Sequence, residues 1–230
     1  MMLKIDMHVH TSHSDSSGTV DEVLETARER RLDGLAITDH NTMDGVEEAL
    51  RKRGELIIIP GEEVKTRQGE ILAIGISRPI PKDLPITEAI RRTHQQGGLV
   101  VIPHPTVPFL SKLKESEIRR LKIDGLEVFS AITPLPGYFL RKNLEMARRL
   151  NLPILAGSDS HSPETVGDAY TLIHSESREL SDILNAIKHG RTEVGCHPSK
   201  WRFKVKMVPS FLISAFMFPF TYRAGRLPRR

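Results

Sequence analysis

Short aliphatic runs recur along this chain, and each of several stops at a histidine or a carboxylate. Ile5-Asp6-Met7-His8-Val9-His10 alternates apolar and polar side chains. Leu35-Ala36-Ile37-Thr38 runs into Asp39-His40, and Leu56-Ile57-Ile58-Ile59 into Pro60-Gly61-Glu62-Glu63. Leu99-Val100-Val101-Ile102 runs into Pro103-His104-Pro105, and Ile154-Leu155-Ala156 into Gly157-Ser158-Asp159-Ser160-His161. Runs of this length and composition predict buried strands. Helical periodicity lies between most of them, so the sequence predicts an α/β fold with a parallel sheet, open or closed into a barrel. In both architectures functional groups gather at the C-terminal ends of the strands. One end of this molecule is therefore expected to carry a ring of imidazoles and carboxylates.

Strands are expected over 5–10, 35–38, 56–59, 71–76, 99–102, 126–129, 154–156 and 170–174. Thr19 with Glu22 forms a capping box for a helix over 20–31, with Val20, Val23, Leu24 and Ala27 on one face. A second helix is expected from 41, with Val46, Ala49 and Leu50 inside. A third is capped by Thr87 and ends at Gly97-Gly98. Further helical segments are expected around 116–121 and over 138–150 and 181–190.

The first strand shows why these residues suggest a metal. Side chains alternate faces along a strand, so Ile5, Met7 and Val9 are expected on one face and Asp6, His8 and His10 on the other. That places His8 and His10 about 6–7 Å apart, a span from which two ring nitrogens can meet one ion. The candidates read directly from the runs are His8, His10, Asp15, His40, Glu63, His104, Asp159 and His161, with Asp39 supporting them. Imidazole and carboxylate without thiolate suit Zn, Mn or Fe. Eight donors exceed what one ion takes and suit two or three. Clustered ions about 3.5–4 Å apart are typical of phosphoryl transfer, in which they activate water. Each residue also has an ordinary reading. Glu62 reads as a solvated loop carboxylate, His94 as a surface residue, and His174 and His189 as structural. His13 is either a substrate contact or a solvated loop residue.

Composition narrows the setting. The chain has 230 residues and one cysteine, Cys196, which excludes an internal disulfide and a cysteine-based zinc site. A reducing, cytoplasmic compartment and no signal peptide are expected. No apolar run approaches the ~20 residues that span a bilayer. The net charge of +4 is local: residues 200–230 carry eight Lys/Arg and no Asp/Glu, and residues 1–199 carry 25 basic and 29 acidic side chains. Trp201, Phe203, Phe211, Phe216, Phe218, Phe220 and Tyr222 are seven of the twelve aromatics. The chain therefore divides into a body, 1–199, and a basic, aromatic tail, 200–230, which also follows His197. Three readings of the tail stay open: packing on the body or a subunit, peripheral contact with an anionic membrane surface, or an arm for nucleic acid.

Taken in order, the motifs resemble the polymerase and histidinol phosphatase (PHP) family. They are His8-Val9-His10 with Asp15, Thr38-Asp39-His40, His104-Pro105 and Ser158-Asp159-Ser160-His161, with Pro60-Gly61-Glu62-Glu63-Val64 supplying a bridging carboxylate. The likeness covers roughly 2–195. It implies a distorted (β/α)7 TIM-like barrel and a cluster of two to three divalent ions of Mn, Zn or Fe. It also implies hydrolysis of phosphate esters, with Glu63, Asp159 and His161 as candidate catalytic groups. The implied partition gives His8, His10, Glu63 and Asp159 to one ion, Glu63 and His104 to a second, and Asp15, His40 and His161 to a third. Related sequences often carry another histidine after the bridging glutamate. Here Glu70 stands in that stretch and is the expected replacement ligand. The implied substrate is a small phosphorylated metabolite, a nucleotide or a short oligonucleotide. Two alternatives remain: a non-catalytic scaffold of this fold in a nucleic-acid or membrane-associated complex, and a metal-dependent amidohydrolase.

Overall fold

The computed structural model describes residues 1–196 apart from 109 and 134. The tail, and His197 just before it, lie outside the described residues. Nine strands are described: β1 (Met2–Val9), β2 (Gly34–Ile37), β3 (Ile57–Lys65), β4 (Glu70–Ile74), β5 (Leu99–Ile102), β6 (Gly125–Ser130), β7 (Ile154–Gly157), β8 (Ala169–His174) and β9 (Thr192–Cys196). They form one sheet in the order β7-β6-β5-β4-β3-β2-β1-β8-β9. The sheet nearly closes into a TIM-like barrel, because the residues after β7 return to β1. Asp159 N–H donates to His8 O at 2.8 Å, and His10 N–H donates to Ser160 O at 3.1 Å.

The sheet is mixed, not parallel as expected. β1–β2, β2–β3, β5–β6 and β6–β7 run parallel. β3–β4, β4–β5, β1–β8 and β8–β9 run antiparallel. The cause is local. Thr66 to Gly69 join β3 to β4 with no helix between, and a connection that short can form only a hairpin. β9, which the sequence reading missed, adds to β8 in the same antiparallel sense.

The helices are α1 (Val20–Glu29), α2 (Asp44–Lys52), α3 (Ile86–Gln95), α4 (Glu115–Ile118), α5 (Pro136–Leu150) and α6 (Leu180–Lys188). The Thr19–Glu22 capping box is present on α1. α2 starts later than expected because Asn41 is pinned to β3. Its N–H donates to Glu63 O at 3.0 Å, its Oδ1 accepts from Lys65 N at 2.8 Å, and its φ is +55°. Leu50, expected inside, is exposed. Thr87 is not the cap of α3. Pro85 holds that position, and the Gln68 side chain from the β3–β4 hairpin accepts the Ile86 N–H at 2.8 Å.

One apolar cluster collects Leu3, Ile5 and Met7 of β1 with Ala36, Ile59, Leu72, Val101, Leu155 and Ile173 from six other strands. Contributions from so many strands are what the interior of a closed sheet gives. Ile183, Ala186 and Ile187 of α6 close this interior. Val9 belongs instead to a cluster with α1 and α2. Strict alternation would have kept Val9 with Met7. The β1–β2 register shifts between Asp6 and Val9, and such an irregularity re-aims side chains at the end of a strand.

Candidate metal centre

The chain places its candidate ligands at one end of this barrel, from several strands and the loops that follow them. His8 lies on β1, and His10 and Asp15 follow it. His40 follows β2, His104 follows β5, and Asp159 and His161 follow β7. Glu63 lies inside β3, not past its end as expected, because β3 continues through Pro60 to pair with β4. His104 and Asp159 both have left-handed backbones, with φ of +32° and +54°. For non-glycine residues this costs on the order of 1–3 kcal/mol, and such strain collects at functional sites.

Three groups of side chains converge, and within each the donor atoms lie within 4.8 Å of one another. The first is His8, His10, Glu63 and Asp159. The second is Glu63, Glu70 and His104. The third is His10, Asp15, His40 and His161. Glu63 is common to the first two and His10 to the first and third. Glu63 Oε2 lies 3.2 Å from His8 Nε2, 3.3 Å from His10 Nε2 and 3.4 Å from His40 Nδ1. Its Oε1 lies 3.6 Å from His104 Nε2. The first group is fully buried. The third opens outward, with the Asp15 side chain 53% exposed.

The residues present fit divalent cations. Buried His10 Nδ1, Glu63 Oε1 and His104 Nδ1 have no hydrogen-bond partner among the described residues. A buried polar atom without a partner costs about 1–3 kcal/mol. His8 Nε2 and His10 Nε2 lie 3.0 Å apart and face the same two carboxylates. Nitrogens and carboxylate oxygens with no thiolate are donors for Zn, Mn or Fe.

The electrostatics match. Burial opposes the charge on Glu63, but His8 and hydrogen bonds from His10 and His104 outweigh it and hold the carboxyl well below the usual range. Burial likewise opposes the ionisation of Asp159, and His8 and His10 overcome it, so its carboxyl is also depressed. Burial disfavours a charged His10, yet Asp159 and Glu63 raise it to about 9. Burial and the nearby Glu63 charge push Glu70 up.

Other polar residues have different roles. Asp39 accepts from Thr11 N–H, Thr11 Oγ and Ser14 Oγ, each at 2.7 Å, and so fixes the loop that carries Asp15. His13 pairs with Glu48, His94 with Asp124 and His174 with Glu193, while His189 Nδ1 lies 2.8 Å from Asn185 O. Glu62 is not solvated. It is fully buried and accepts the Ile80 N–H, and burial raises it to about 7.

Sequence reasoning missed two buried carboxylates. Asp6 accepts from Ser158 N–H at 2.8 Å and Gly167 N–H at 2.7 Å, tying the loops after β7 to β1, and burial raises it to about 7. Glu127 lies 3.0 Å from His8 Nδ1 and accepts the His104 N–H at 2.9 Å. The available signal for Glu127 was a lone carboxylate inside the apolar run Leu126-Glu127-Val128-Phe129, because an unpaired charge is rarely fully buried.

Comparison with known proteins places these residues in a family. Residues 6–94 match the model described as PHP domain, and residues 137–192 match that described as PHP-associated. An uncharacterized protein of Methanocaldococcus jannaschii is 35% identical over 142 residues, 56% of this chain and 82% of that protein. A phosphoribosyl 1,2-cyclic phosphate 1,2-diphosphodiesterase of Eggerthella lenta is 36% identical over 85 residues, 33% of this chain and 32% of that protein. A 5′-3′ exoribonuclease of Salmonella typhimurium is 33% identical over 105 residues, 41% of this chain and 36% of that protein. The chain thus spans about a third of the length of these two named enzymes. Among solved structures, a two-domain protein of Bacteroides vulgatus containing a predicted PHP-like metal-dependent phosphoesterase has the same fold. Its TM-score is 0.71 at 20% identity, covering 86% of this chain and 65% of that one.

Proposed function

We propose that this chain, which belongs to the PHP family, hydrolyses phosphate esters with two to three divalent ions held by His8, His10, Asp15, His40, Glu63, Glu70, His104, Asp159 and His161. The observation that carries the reading is the sharing of Glu63 and His10 between converging donor groups. Separate metal sites have no need of shared donors, whereas a cluster does. Bound there, the ions supply Lewis-acid polarisation of phosphoryl oxygens and bring the pKa of water toward neutrality. The chain's own residues do the rest. Glu63 spans the groups with its two oxygens. Asp159, held at Oδ2 by Ser130 Oγ at 3.3 Å, presents Oδ1 toward His8, His10 and His161, and either this carboxylate or a water held by the ions would take the proton of the attacking water. Asp15, His40 and His161, on the exposed side, orient the incoming phosphate.

The substrate class is a phosphorylated metabolite, a nucleotide or a short oligonucleotide. The cyclic phosphodiesterase and exoribonuclease activities in the names of two relatives support it. The barrel, 1–199, is the proposed catalytic unit. The tail, 200–230, is assigned a contact with a subunit, an anionic membrane surface or nucleic acid. No helix among the described residues is long and apolar enough to cross a membrane.

Protein loaded in turn with Mn, Zn and Fe is expected to release phosphate or nucleotide from a panel of aryl phosphates, nucleotides and short oligonucleotides. Asp159→Asn should lower the rate by at least ~100-fold, the contribution of a positioned proton acceptor. No turnover with any of these metals overturns the proposal. Turnover of cyclic amides alone would make the chain an amidohydrolase, and ligand binding without turnover a scaffold.

A further inference from the structure

Glu127 is buried on β6, and both its oxygens are in use. Oε1 lies 3.0 Å from His8 Nδ1, and Oε2 accepts the His104 N–H at 2.9 Å. Each contact constrains the other. A backbone amide can only donate, so one carboxylate oxygen is committed to accepting from His104. An ionised carboxylate also accepts at its second oxygen, so His8 Nδ1 carries the hydrogen. In neutral imidazole the lone pair is then on Nε2. Nε2 is the atom facing the cluster, 3.0 Å from His10 Nε2, 3.2 Å from Glu63 Oε2 and 3.5 Å from Asp159 Oδ1.

We infer that Glu127 is a positioning residue that sets the tautomer of His8, and thereby makes Nε2 its donor to a divalent cation. The inference rests on the proposed reading of the cluster as a metal centre. One carboxylate thus prepares His8 of the first donor group and anchors the main chain of His104, a member of the second.

Glutamine has nearly the same shape but only one acceptor. In Glu127→Gln the fixed His104 amide claims the amide oxygen, and the NH2 then faces His8 Nδ1. That nitrogen must accept, the proton moves to Nε2, and the lone pair needed by the ion is lost. Alanine removes both contacts and leaves His8 free to take either tautomer. The conservative variant is therefore the more damaging one for metal binding. A role in packing or stability alone gives the opposite order.

The test is calorimetric titration of metal-stripped protein with Zn2+. Outer ligand partners of this kind are typically worth about 10–100-fold in affinity. E127Q is expected to bind at the weak end, down about 100-fold, and E127A down about tenfold. In a His8→Ala background E127Q should cost nothing further, because its effect acts through His8. Nitrogen-15 NMR of Zn-loaded wild type reads the tautomer without any substitution, so the inference stays testable if a variant fails to fold. Hydrogen on His8 Nδ1 is expected, and hydrogen on Nε2 overturns the inference. So does E127Q binding Zn2+ as well as or better than E127A, or an undiminished E127Q effect without His8. Wild type that binds no Zn2+, Mn2+ or Fe2+ instead sinks the underlying metal reading.

Discussion

Glu62 and Glu63 are adjacent on β3 and meet opposite surroundings. Glu63 faces four imidazoles and is held ionised, while Glu62 faces the Ile80 amide and apolar core. The sequence made Glu63 legible because it follows an aliphatic run, but it left Glu62 misread as solvated. Nothing local distinguishes a buried carboxyl from an exposed one when the burying group, Ile80, is 18 residues away. The consequence is a pH dependence with a definite sign. In the unfolded chain Glu62 loses its proton near 4.5, and in the fold it keeps it to about 7. Between those values the folded state binds more protons, so stability falls as pH rises, by about 3 kcal/mol in all. Glu62→Gln removes that loss. Its unfolding free energy should match wild type near pH 4 and exceed it by up to about 3 kcal/mol near pH 8. An equal difference at both pH values would contradict this.

At the scale of elements, the site depends on how β7 meets β1. Their junction is made by Asp159 N–H to His8 O and by Asp6 accepting from Ser158, and it packs Gly157 directly on His8. A Cβ on Gly157 would lie 2.6 Å from His8 N and 2.9 Å from His8 Cα, main-chain atoms that cannot swing aside. Gly157→Ala should therefore lower stability by about 1–3 kcal/mol, the usual cost of overpacking, and weaken metal binding with it. An unchanged denaturation midpoint would show that the junction is slack. Element type was readable here because aliphatic runs and capping residues are local signals, as Thr19 with Glu22 shows. Start points that depend on distant partners were not. Asn41 is held by β3, and α3 is capped by Gln68 from a hairpin, so neither limit is encoded where it occurs. The shift in β1 that separates Val9 from Met7 is likewise set by strand pairing, beyond the reach of a period-two pattern.

Across the whole molecule, the barrel arranges its donors in a gradient from dry to wet. His8, His10, Glu63 and Asp159 are buried, whereas Asp15, His40 and His161 reach solvent. Such a gradient suits a centre that binds its ions deeply and meets substrate at an open rim. The ring of polar residues could be anticipated from residues at or beyond the ends of successive runs. The mixed sheet could not, because β8 takes β1 from the far end of the sequence as an antiparallel partner, and β4–β5 and β8–β9 run antiparallel even though α3 and α6 join them. The central claim is that these side chains form one shared metal cluster, and metal content per chain tests it most directly. Protein purified without chelator, as wild type and as Glu63→Ala, would be analysed for Mn, Fe and Zn. Two to three ions in wild type, falling to one or none without the Glu63 carboxylate, is the predicted result. Fewer than one ion in wild type, even after soaking with each metal, would contradict it.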